Sequence, residues 1–165
     1  MNKINKAPDF LKMATTLKKD AVSYAAVKGE IFFKESFENQ GFTDENFEEW
    51  DKNANNTGKI LIGTNNLFNS VQVFEKSFNR IVFGSDAEYA EIHNNGGVIP
   101  ITKKARKFFW FMFRETGETK WKAMALTKKQ AFVIPKRQFI GESATLLRDY
   151  DKWLKEEIQK RFKLL

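Results

Sequence analysis

The sequence predicts an α+β fold in a single domain spanning residues 1–165, on three observations. Apolar residues recur at three- and four-residue steps near both ends, as one face of a helix requires. Between them, two runs rich in β-branched and aromatic residues are separated by four residues, which fits a hairpin. Apolar residues make up 42% of the 165 residues, enough for one ordinary core, and no internal repeat suggests a solenoid or propeller.

The first helix is expected from Asp9 to about Lys28, with Phe10, Met13, Leu17, Ala21 and Tyr24 on one stripe. Gly29 is a place where it could break. The pattern resumes through Ile31, Phe32, Phe33 and Phe37, and Gln40-Gly41 ends it by letting the backbone turn left-handed. Thr43 to Lys59, acidic first and then rich in Asn53, Asn55 and Asn56, reads as a mobile loop. Val71–Glu75 and Arg80–Gly84 form the predicted hairpin around Lys76-Ser77-Phe78-Asn79.

Ser85 and Glu88 have the spacing of a capping box, so a short helix is expected from there through Ile92. Asn94-Asn95-Gly96-Gly97 ends it and turns the chain toward Val98 and Ile99. Thr102 caps a helix running to about Glu115 and stopped by Thr116-Gly117. Its Phe108, Phe109, Trp110, Phe111, Met112 and Phe113 are apolar all the way round, so some face stays uncovered unless another chain covers it; these six are the candidate oligomer interface. Trp121 to Leu126 fits both helical and strand periods. Ala131–Ile134 reads as an edge strand stopped by Pro135. Ser143 caps a last helix with Leu147, Tyr150, Leu154, Ile158 and Phe162 on one stripe, expected to pack on the sheet.

The formal charge of +7 is uneven: residues 1–99 carry 11 Lys/Arg against 14 Asp/Glu, and residues 100–165 carry 17 against 7. That division suits nucleic-acid binding, and equally suits subunits meeting acidic face to basic face. Cysteine is absent, which excludes disulfides and thiolate metal sites and points to a reducing compartment. The first twenty residues lack the apolar stretch of a signal peptide, and the longest apolar run, Phe108 to Phe113, is far short of a membrane span.

No catalytic set is legible, and no enzyme activity, metal or cofactor is expected. The single histidine, His93, has Glu88 and Glu91 nearby, but zinc sites need three or four ligands. Asn56-Thr57-Gly58-Lys59 has Asn53 where a phosphate-binding loop needs glycine, and Ile60 where it needs Ser or Thr. Glu48-Glu49 reads as a solvated charge run. A basic nucleic-acid-binding module is the alternative, since Lys103, Lys104, Arg106, Lys107 and Arg114 surround aromatic residues able to stack on bases.

Two phrases occur in order: Tyr89-Ala90-Glu91-Ile92-His93-Asn94-Asn95-Gly96-Gly97, and Ile134-Pro135-Lys136-Arg137-Gln138-Phe139-Ile140-Gly141. Together they resemble the phage virion-morphogenesis family, which includes the Mu-like G protein and tail-completion proteins of long-tailed phages. Its wording is YA-x-x-H-x-x-GG followed by IP-x-R-x-F-x-G, matched here at Tyr89, Ala90, His93, Gly96, Gly97, Pro135, Arg137, Phe139 and Gly141. Weaker matches upstream are Phe32-Phe33, Ser36-Phe37, Gln40-Gly41-Phe42, and Thr64 through Leu67 with Ser70; Asn65 stands where the family commonly has glycine. The resemblance implies a structural subunit that assembles, as a ring, at the head–tail junction or the head-proximal tail end. Its partners would be copies of itself and other phage tail or neck proteins, with no membrane. It would reside in the bacterial host cytoplasm during assembly and in the virion afterwards. From the residues alone, Tyr89, Ala90 and Phe139 read as core, Gly96-Gly97 as a turn, and Arg137 as a holder of a nearby carboxylate or carbonyl.

Overall fold

A computed structural model of the chain describes residues 9–52 and 58–163. Its class is α+β, as the periodicities predict: six helices and three separate two-stranded antiparallel ribbons among the described residues, rather than one small sheet. Helix α1 (Phe10–Asn39) runs unbroken through Gly29, and Asp9 caps its start by accepting from Lys12 N at 2.9 Å. Gly29 does not break the helix because its missing side chain has a packing use. A Cβ there would strike the ring of Phe83 and lie 2.7 Å from Tyr150 Oη, so glycine admits both rings against the helix.

The left-handed residue that ends α1 is Gln40 itself, at φ 58 and ψ 40. Its amide explains why a non-glycine residue tolerates this: it donates to Ile60 O at 3.1 Å and accepts from Ile60 N, clamping the chain end. The stretch expected to be a loop is in part ordered. β1 (Gly41–Thr43) pairs with β2 (Phe47–Glu49), and Trp50 is buried, its indole N–H donating to Gln138 O at 2.8 Å. Alternation of polar and apolar residues over three positions is too short a signal to read as a strand. The asparagines at 53, 55 and 56 lie outside the described residues.

Helix α2 (Asn66–Ser70) follows Asn65, which sits at φ 58 and ψ 3. Asparagine is among the few side chains that enter the left-handed region readily, so the turn survives without the glycine. The predicted hairpin is present as β3 (Val71–Lys76) and β4 (Ile81–Ser85), with a bulge between Val73 and Glu75. Ser85 is not a helix cap. It ends β4, its hydroxyl lies 2.6 Å from Ser70 Oγ and accepts from Ala87 N, and α3 (Ala90–Asn95) begins later, after Tyr89. The local S-x-x-E spacing loses to strand pairing, which occupies Ser85 first.

β5 (Gly97–Pro100) and β6 (Ala131–Ile134) pair with Gly97 opposite Ile134 and Val98 opposite Val133. Between these strands the chain makes a helical excursion. Helix α4 (Lys103–Thr116) is capped by Thr102, which accepts from Ala105 N at 3.1 Å, and ended by left-handed Gly117, as expected. Thr119–Leu126 resolves as helix α5. Ser143 caps α6 (Ala144–Lys163): its hydroxyl accepts from Leu146 N at 3.1 Å and donates to Thr43 O at 2.8 Å.

The last helix was expected on the sheet, but its main partner is α1. Trp153 stacks on Tyr24 with ring centroids 4.3 Å apart, Tyr150 donates to Ala25 O, and Arg161 pairs with both Asp20 and Glu157. Burial pushes the Tyr150 hydroxyl up to about 12, with Tyr24 and Asp149 adding to it, so it stays a donor. Leu146 is the buried residue at the start of α6 and Leu147 points outward, a shift of one position from the expected stripe. The apolar residues gather in two clusters. The larger holds Phe32, Phe33, Phe37, Phe42, Trp50, Leu67, Val71 and Phe139; the smaller holds Ile101, Phe109 and Ala125, with Trp121 and Phe132 against them.

Candidate functional site

The two phrases, distant in the chain, meet in space. Arg137 N donates to His93 O at 2.8 Å, and Asn94 Oδ1 accepts from both Phe139 N at 2.9 Å and Ile140 N at 3.0 Å. Gly96, at φ 72, lies where a Cβ would come within 2.8 Å of Lys136 N, so both its backbone angle and its neighbour demand glycine. The segment after Pro135 is thereby stitched to α3 by backbone groups. Asn94 supplies the central acceptor, and its one signal in the sequence is its place in the first phrase.

The residues of the phrases divide by role. Phe139 is 1% exposed and packs on Phe37 at 4.9 Å between centroids, at the centre of the larger cluster. Ala90 is buried as expected, whereas Tyr89, expected in the core, is about half exposed and meets His93 edge-on at 5.9 Å. The rim position follows from its place before the first turn of α3, outside the helix face that turns inward. Arg137 is buried, and its guanidinium donates to Asp51 O from Nη2 at 3.0 Å and Nε at 3.3 Å. Burial lowers its pKa and the Asp51 charge opposes that. Arg137 therefore ties the chain after β2 to the chain after β6. Gly97 starts β5 against Ile92, and Gly141 lies under the Gln138 side chain.

His93 Nδ1 is buried and meets no hydrogen-bond partner among the described residues. Burial holds the imidazole below its ordinary pKa, and the Arg137 charge lowers it further, so the ring is neutral at physiological pH. The backbone carbonyl of His93 accepts from Arg137 N while the Arg137 guanidinium is bound to Asp51 O, so His93 sits at a joint between three segments of the chain. Among the described residues, no group of three or more His, Cys, Asp or Glu is placed to hold a metal ion, and no helix is long and apolar enough to cross a membrane.

The candidate interface residues lie in the excursion between β5 and β6. Phe109 is buried against Trp121 and Phe132, and Met112 and Phe113 are half-buried. Phe108, Trp110 and Phe111 remain 50%, 43% and 47% exposed. The face of α4 that carries Trp110 and Phe111 also carries exposed Lys103, Lys107 and Arg114 at three- and four-residue steps. Val98 and Val133, cross-strand partners on the β5–β6 ribbon, are exposed too. Arg106, one of the cations that surround the aromatic run in sequence, donates to Ala125 O, Thr127 O and Lys129 O, satisfying carbonyls at the end of α5 and in the segment after it.

Comparison with protein families, curated proteins and solved structures finds no match to this chain.

Proposed function

We propose that this protein is a non-enzymatic assembly subunit that associates with copies of itself. The order of its two phrases, resembling the phage virion-morphogenesis family, suggests a ring at the head–tail junction or head-proximal tail end, contacting other tail or neck proteins. The observation that carries the reading is the exposure of Trp110 and Phe111, together with Phe108, on α4. Single exposed apolar residues are ordinary, but several large aromatic side chains exposed on one helix mark a surface that another chain covers. The junction built by Arg137, Asn94 and Gly96 supports it by giving the excursion a rigid base.

Light scattering coupled to size exclusion tests this directly: the expected result is a multimer whose population rises with concentration, visible as closed particles by negative stain. A strict monomer that joins no tail component, in phage that mature normally without the gene, overturns the reading.

A second reading, a basic nucleic-acid-binding module, is favoured by one observation. Gly97–Ile134 carries nine Lys/Arg against two Asp/Glu, so the net +7 of the chain resides in the excursion and its two strands, and the remainder is neutral. Retention on DNA or RNA that falls steeply between low and moderate salt would support it.

A further inference from the structure

We infer that the basic aromatic face of α4 docks on the acidic β1–β2 ribbon of a second copy of this chain, a partner assignment that rests on the assembly reading above. The ribbon and its flanks are the electrostatic complement of the excursion: residues 41–51 contain five Asp/Glu and no Lys/Arg. Glu45, Glu48 and Glu49 are exposed, and among the described residues Glu45 and Glu48 form no ion pair. Phe47, the first residue of β2, is about half exposed. On the other side, Lys103 and Lys107 are exposed and form no ion pair with a described residue, and Trp110 and Phe111 stand on their helix face.

Each surface thus holds unpaired charge of one sign around an uncovered ring, and the two signs are opposite. Bringing them together pairs the charges and buries the rings in one step, which neither surface achieves within its own chain. A nucleic acid would satisfy the lysines of α4 and leave the acidic ribbon and Phe47 without a use. The two patches are different surfaces of the same molecule, so the contact is heterologous: a docked pair still offers one free patch of each kind. Such contacts close into rings when the rotation per subunit permits. The contact weakens with salt, because exposed charges are screened over about 8 Å at physiological ionic strength.

The test uses the full chain and reverses each charge set: Lys103→Glu with Lys107→Glu, and Glu45→Lys with Glu48→Lys. All four positions are exposed, and circular dichroism checks that each variant folds. Each double variant alone is expected to associate roughly tenfold more weakly or worse, since attraction becomes repulsion at two positions. Mixing the two variants is expected to restore multimers, as is combining all four substitutions in one chain. Multimers that persist unchanged in both variants overturn this docking mode and leave the assembly reading standing. An α4 reversal that abolishes binding to duplex DNA while the ribbon reversal changes nothing overturns it in favour of nucleic acid. A wild-type monomer at every concentration, with or without tails, removes both.

Discussion

Asn94→Ala isolates the joint between the two phrases. The substitution leaves the N–H groups of Phe139 and Ile140 without their shared acceptor, both in a part-buried setting. An amide stripped of its partner away from water costs about 1–3 kcal/mol. Partial access of water reduces that, and two such groups together predict a loss of about 2–4 kcal/mol. For a domain of this length, about 1 kcal/mol moves the midpoint by roughly 2–4 °C, so Tm should fall by roughly 5–15 °C. Urea unfolding followed by tryptophan fluorescence measures it, since buried Trp50 donates to Gln138 O in the adjoining segment. Asn94→Asp, which keeps an acceptor oxygen, should lose clearly less. A loss under about 0.5 kcal/mol in the alanine variant, or equal losses in the two, would show that Asn94 does not hold the segment.

Three further outcomes follow from the same geometry. His93 has a lowered folded-state pKa, so the unfolded chain takes up its proton first as pH falls; its contribution is complete above the ordinary value of 6.5 and is lost below it. The stability of His93→Gln, measured by denaturation from pH 8 to 5, should accordingly vary less with pH than that of the wild type, and an unchanged slope would refute the assignment. Gly29→Ala adds a Cβ against Phe83 and Tyr150, and overpacking of about 1–3 kcal/mol should outweigh the gain in helix propensity of about 1 kcal/mol; a more stable variant in thermal melts would contradict the packing. Ser143→Ala removes both a helix cap and a bond to Thr43 O, and should cost about 1–2 kcal/mol by calorimetry, more than a cap alone in an exposed helix.

Amino-acid order by itself determined the fold class, the hairpin, the Thr102 and Ser143 caps and the Gly117 stop, because each depends on side chains within four residues of one another or on a helical period repeated several times. It also located the aromatic run of α4, though not which rings stay uncovered: that depends on Trp121 and Phe132, which arrive from elsewhere in the chain to enclose Phe109. Tertiary structure alone decided that Gly29 stays helical, that Gln40 turns left-handed by clamping Ile60, and that Ser85 serves a strand instead of a helix. It alone joined Asn94 and His93 to the segment after Pro135. The reason is common to all four cases: the deciding partner lies well outside the local window, and a contact between distant residues leaves no periodic trace in the chain that makes it.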